Sequence, residues 1–149
     1  MPAGPGTDLA RLVIPRIAVN AAVEDVGLDN SGSMGVPLSS ADVGWFSPGP
    51  WPGQDGDAVI DGHLDWRGIP AVFWNLGALK PGDTISVSRK DQSLTFRVTR
   101  VTAYALNEEP AYLFASAGTP LLSLITCAGA WDSDHQIYDQ RLVVDAMLV

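Results

Sequence analysis

The chain has 149 residues, with 9 basic side chains against 17 acidic ones, a net charge of −8 and 46% hydrophobic residues. That length holds one domain of ordinary size, and 17% charged residues with a mean hydropathy of +0.12 exclude a disordered polyelectrolyte. Nucleic acid is excluded as a partner because the basic residues between Arg11 and Arg141 form no stripe, and Pro or charge interrupts every apolar run short of the ~18 residues a membrane span needs.

From the N-terminus, Met1 to Asp8 carries Pro2, Gly4, Pro5 and Gly6 but neither the basic start nor the apolar stretch of a signal peptide. It reads as a flexible leader or cloning remnant, which leaves 9–149 as the folded domain. Leu12–Ile14, Ile17–Val19 and Ala22–Val26 are predicted as successive strands bent at Pro15 and Asn20, and Asn30–Gly35 as a turn-rich connection. Asp42–Gly56, with Trp45, Phe46, Trp51 and three prolines, is predicted as an ordered aromatic loop without a regular element. Ala58–Ile60 is a buried strand that ends at Asp61-Gly62-His63.

Pro70–Ala78 supports a helix of at most two turns, with Pro70 acceptable near its start. Thr84–Ser88 and Leu94–Val101 form a hairpin whose tip holds Arg89, Lys90 and Asp91. Pro110–Ala117 reads as a second short helix. Leu121–Thr126 is a strand delivering Cys127 at its end, and Arg141–Val149 closes the chain as a strand whose Leu142, Val143 and Val144 are buried on both faces. The inventory is mainly β: eight or so strands and two short helices, which suits a closed barrel.

Attack by a thiol on an amide needs a thiolate, a proton carrier and a donor for the oxyanion. The sequence offers one cysteine, Cys127, and two histidines, His63 and His135. Cys127 and His63 each follow an apolar strand, and Arg141 opens another, so neighbouring strands would bring all three to one rim. Each also has a structural reading, since free cysteine is among the most buried residue types and a single histidine or arginine is often a packing or ion-pair partner. No zinc-type ligand spacing joins His63, His135 and Cys127, and neither a metal nor a cofactor is expected. His135, between Asp134 and Gln136, reads as a surface residue.

Three segments, Asp61-Gly62-His63-Leu64-Asp65, Ser123-Leu124-Ile125-Thr126-Cys127 and Arg141-Leu142-Val143-Val144, resemble in order the Gly-His segment, the Thr-Leu-x-Thr-Cys strand end and the arginine strand of the sortases, cysteine transpeptidases of the Gram-positive cell envelope. Ile125-Thr126-Cys127-Ala128-Gly129, followed by Asp132 and Tyr138, looks most like class F. Two positions depart from the pattern. Ser123 stands for the opening Thr and keeps its hydroxyl. Asp61 replaces a small residue; a carboxylate there, turned to the imidazole, favours the charged ring.

The resemblance implies an eight-stranded sortase barrel with two or so short helices and, over 9–149, a catalytic domain. It implies that Cys127 cleaves a Leu-Pro-x-Thr-Gly-like sorting signal through a thioacyl enzyme, that His63 carries protons and that Arg141 holds the oxyanion or the signal's backbone. By the same likeness Thr126, Tyr112, Leu113 and Phe114 contact the signal. The implied partners are the sorting-signal peptide and an amine acceptor, a peptidoglycan cross-bridge or a pilin lysine, served by a monomer. The implied place is the extracellular face of the cell membrane, held by an N-terminal segment outside this sequence. A thiol hydrolase on the same barrel and a non-catalytic β-barrel binding module are the rival readings.

Overall fold

The computed structural model describes residues 10–30, 32–105, 108, 118–134 and 137–149, and for residues 127–130, 132 and 137 that description is of the backbone. In chain order the strands are β1 (Arg11–Ile14), β2 (Val19–Val26), β3 (Val43–Phe46), β4 (Gly56–Gly62), β5 (Asp65–Trp66), β6 (Ile69–Pro70), β7 (Thr84–Arg89), β8 (Gln92–Ala105), β9 (Pro120–Asp132) and β10 (Ile137–Leu148). Among the described residues, eight of them close a barrel in the order β1-β2-β3-β4-β9-β10-β8-β7, while β5 and β6 form a separate hairpin. Closure removes the unpaired sheet edges that an open sheet would expose.

Several predicted boundaries move, each for a local reason. Pro15 has no N–H to give to the ladder, so β1 ends in a 3₁₀ turn, Pro15–Ile17, and Ala18 reverses the chain at φ 56°. Ile17 therefore belongs to the turn, and β2 runs unbroken from Val19. The aromatic segment is not wholly irregular: Val43–Phe46 forms β3, parallel to β2 and antiparallel to β4. The remainder is ordered as expected, with Trp45 Nε1 donating to the Pro50 carbonyl at 2.8 Å and Trp45 packed edge-on against Trp51.

The helix expected over 70–78 shrinks to one 3₁₀ turn, Leu76–Ala78. Pro70 is instead in β6, paired with Asp65, after a turn in which Arg67 and Gly68 both take positive φ. Phe73 and Leu76, both fully buried, anchor the segment that follows. Lys90 and Asp91 do make the tip between β7 and β8, with Lys90 at φ 57°. At the other end of the chain, β9 continues past Cys127 to Asp132, and β10 begins at Ile137, so Arg141 is inside its strand. The second helix, predicted over Pro110–Ala117, lies outside the described residues.

Side-chain alternation divides β4, β9 and β10 between two environments. Ala58, Ile60, Leu122, Leu124, Val144 and Ala146 belong to the main core with Leu12, Ile14 and Phe96. Their neighbours Val59, Ile125 and Val143 form a smaller cluster on the opposite face, covered by Met34, Phe46 and Tyr104. Asp57, Asp61 and Ser123 share that second face and are buried there, so β4 is apolar on one side and carries carboxyl groups on the other.

Candidate active site

Three adjacent strands set the site. β4 runs parallel to β9 with Asp61 opposite Ile125, and β10 runs antiparallel to β9 with Arg141 opposite Cys127. One residue before Cys127, the buried Thr126 hydroxyl donates to the Gly62 carbonyl at 2.8 Å. That bond ties the end of β4, immediately before His63, to the Cys127 position of β9. A second tie lies further out: Tyr138 on β10 donates through its hydroxyl to Asp65 Oδ1 at 3.1 Å, and its ring packs against Trp131 on β9.

His63 is half-buried. Its carbonyl accepts the Phe73 N–H at 3.0 Å, which holds the backbone as it leaves the barrel. Its Nε2 lies 2.8 Å from the Pro37 carbonyl oxygen, and its ring meets the Trp66 ring edge-on at 5.6 Å between centroids. Pro37 belongs to the connection between β2 and β3, which the Glu24 carboxylate holds down: Oε1 accepts from Leu38 N at 2.9 Å and Oε2 from Ser39 N at 3.2 Å. Leu38, Trp66 and Ile69 present exposed apolar surface beside these groups.

Carboxyl groups gather under this connection. Gly44 is the register partner of both Glu24 and Asp61, and the Asp61 carboxyl occupies the space that a side chain at 44 would fill. A Cβ there would stand 2.8 Å from Asp61 Oδ1, 2.8 Å from Val26 Cγ1 and 3.2 Å from Pro37 Cγ. Asp61 is 9% exposed, and its Oδ1 has no hydrogen-bond partner among the described residues. Burial pushes its carboxyl up to about 7; its own backbone N–H and the Arg141 charge oppose that, and the Glu24 charge adds to it. For Glu24, burial raises, but the Leu38 N–H, the Asp42 side chain, the Ser39 N–H and the imidazole charge together hold it below the ordinary value. Asp42 goes the other way, raised by burial, by its hydrogen bond to Glu24 and by that group's charge.

A second carboxyl pair flanks Ser123, further from the rim. The Ser123 hydroxyl lies 2.8 and 2.9 Å from the two oxygens of Asp57 and 3.1 Å from Asp145 Oδ1, while Arg100 Nε donates to Asp145 Oδ2 at 3.0 Å. Burial pushes Asp57 up to about 6; the Ser123 hydroxyl opposes the rise and the Asp145 charge adds to it.

A family model described as the sortase domain matches residues 12–149. The chain belongs to the sortase family. Sortases are cysteine transpeptidases, and this chain is an enzyme of that kind. Sortase C-1 from Actinomyces oris superposes with a TM-score of 0.72 at 27% identity, covering 95% of this chain and 74% of that one. A lid mutant of sortase A from Corynebacterium diphtheriae gives 0.74 at 23% identity over 95% of this chain and 70% of that one. Sortase C1 from Streptococcus agalactiae gives 0.75 at 19% identity over 98% and 69%. The latter two identities carry the fold alone. No significant match is found among curated protein sequences. The likeness to class F rests on the motif residues quoted above.

Of the residues expected in the sortase site, His63, Thr126, Cys127 and Arg141 fall at one level of three neighbouring strands. The Thr126 hydroxyl proton goes to the Gly62 carbonyl, so its visible work is to join strands. Tyr112, Leu113 and Phe114 lie outside the described residues, as does His135. Asp61 differs from expectation: its carboxyl is packed over Gly44 beneath Pro37, and burial favours its neutral form, which weakens any hold on a charged ring. Sequence reasoning missed Glu24 and Pro37. The one signal for Glu24 was an acid inside a β-branched run, and for Pro37 there was none.

Proposed function

We propose that this sortase cleaves a Leu-Pro-x-Thr-Gly-like sorting signal at its Thr–Gly bond and transfers the acyl part to an amine, for anchoring at the cell envelope. The Cys127 thiolate adds to the threonine carbonyl, forming an S–C bond. Arg141 donates hydrogen bonds to the oxyanion, a task its planar fork of N–H groups suits. His63 protonates the glycine nitrogen as the C–N bond breaks, leaving a thioacyl enzyme. The acceptor amine then attacks, gives a proton to His63, and expels the Cys127 thiolate. The first half-reaction leaves a neutral imidazole and an acylated sulfur, and the second restores the protonated imidazole and the thiolate.

The observation that carries this reading is the pairing of Arg141 with Cys127 across the β9–β10 ladder, at the level where Thr126 is bonded to Gly62 beside His63. Apolar surface at Leu38, Trp66 and Ile69 supports a peptide whose leading residues are apolar. Placement on the outer face of the membrane, behind an N-terminal anchor, completes the proposal; among the described residues no helix is long and apolar enough to cross a membrane.

The test is a labelled sorting peptide incubated with the enzyme and a glycine-based amine, with products resolved by mass. Ligation of the amine to the threonine carbonyl is expected. A product consisting only of the free acid would replace transfer by hydrolysis, and an intact peptide would overturn the proposed sorting signal.

A further inference from the structure

We propose that Glu24 is a positioning residue for His63: it fixes the peptide unit between Pro37 and Leu38 so that Nε2 is held as a donor and Nδ1 is the nitrogen that exchanges protons with the reaction. This rests on the reading of His63 as the proton carrier. A carbonyl oxygen has no proton to give, so the 2.8 Å contact from Nε2 to Pro37 O places the hydrogen on Nε2. The neutral ring is then the Nε2–H tautomer, with its lone pair on Nδ1.

The carbonyl of Pro37 and the N–H of Leu38 belong to the same peptide group, which is planar and trans, so the two bonds point in opposite directions. Glu24 Oε1 takes the N–H at 2.9 Å, and His63 takes the carbonyl on the far side at 2.8 Å. The plane is thus held between a carboxylate and an imidazole, and turning it breaks both bonds. Glu24 Oε2, bound to Ser39 N at 3.2 Å, supplies a second point that stops the carboxylate from swinging. A carboxylate on the N–H also polarises the carbonyl of the same amide, making it a better acceptor for an imidazolium N–H.

The consequence for catalysis is economy of motion. Nε2 carries hydrogen in both the neutral and the cationic ring, so its bond to Pro37 survives both half-reactions while Nδ1 alone gains and loses a proton. The surroundings fit this arrangement. Glu24 is held in its ionised form by Leu38, Asp42, Ser39 and the imidazole itself, whereas Asp42 beside it is shifted toward the neutral form. From the other elements, Asp61 on β4 and Arg141 on β10 contribute charges that act on each other, and Trp66 packs on the ring as an uncharged wall.

The test uses enzyme with isotope-labelled histidine, read by long-range proton–nitrogen correlation at a pH where His63 is neutral, with His135 assigned by substitution. The wild type is expected to show the Nε2–H form. Glu24→Gln, which loses the charge and one acceptor, is expected to give a mixture of tautomers and to lower kcat about tenfold with KM little changed, a part of the gain that acid–base groups supply. Leu38→Pro removes the N–H from the other end of the bond without touching the core, since Leu38 is 93% exposed, and is expected to do the same. Hydrogen on Nδ1 in the wild type, or an unchanged tautomer and kcat in both folded variants, overturns the proposal and leaves His63 as the proton carrier if His63→Ala is inactive. Full transfer by His63→Ala overturns the role of His63, and this proposal with it.

Discussion

Arg141 and Cys127 are Cα partners across the β9–β10 ladder, with Tyr104 opposite Arg141 on the other side. Register of this kind is set by the whole length of two strands that pair from Met147 with Leu121 up to this point. The barrel itself therefore brings the Arg141 position opposite the Cys127 position, without help from a loop. Arg141→Lys keeps the charge and loses the fork of donors, so kcat/KM for the sorting peptide is expected to fall roughly a hundredfold, the scale of losing one oxyanion donor. Steady-state kinetics with circular dichroism as a fold control checks this.

Asp61 supplies a pH dependence of stability with a definite sign. The unfolded chain releases this proton near 3.8 and the folded chain near 7. Between those values the folded state binds more protons, so stability declines as pH rises through the window and levels off above it. Asp61→Asn removes that decline. Its melting temperature should exceed that of the wild type at about pH 8 and show no gain at about pH 4. Thermal melts across the range decide it, and equal slopes for the two proteins would refute the sign.

Gly44 is predicted to tolerate no side chain. Its φ is not in the left-handed region, so the objection is to space alone: a Cβ would meet the Asp61 carboxyl, Val26 and Pro37 at once. Gly44→Ala is expected to cost about 1–3 kcal/mol, as overpacking does. Paired with Asp61→Ala, which empties the space, the cost should shrink, and a double-mutant cycle by urea unfolding measures the difference.

Ser123 takes its importance from having carboxyl groups on two sides. Removing its hydroxyl leaves the buried Asp57 without that partner and facing Asp145 directly. Ser123→Ala should destabilise by about 1–3 kcal/mol, and Ser123→Thr, which restores the hydroxyl found in the family pattern, by less. Urea midpoints at neutral pH compare the two.

The mainly β barrel was legible because β1, β2 and β7 alternate, because β1, β2 and β4 stop at Pro15, Gly27 and Gly62, and because the three motif segments keep the chain order of β4, β9 and β10. What escaped was non-local. β3 was hidden in the aromatic segment because Val43-Gly44-Trp45-Phe46 is too short to show a period, and its partners β2 and β4 are what make it a strand. The 70–78 segment carries helix-compatible residues, but its start pairs with Asp65 and Phe73 is drawn into the core, so packing overrides propensity. Ser123 could be recognised as a hydroxyl, yet its use depends on Asp57 and Asp145 arriving from two other strands. The contact of Pro37 with His63 depends on how one long connection lies back over the sheet, which no local pattern encodes.

The most direct measurement is the mass of the enzyme after a brief incubation with a sorting peptide and no amine. Wild-type enzyme should gain the acyl fragment on the peptide that contains Cys127, and adding amine should release it as ligated product. Cys127→Ala should gain nothing, and His63→Ala should acylate far more slowly. An adduct on any other residue, or transfer that persists in folded Cys127→Ala, would contradict the assignment of this rim as the active site.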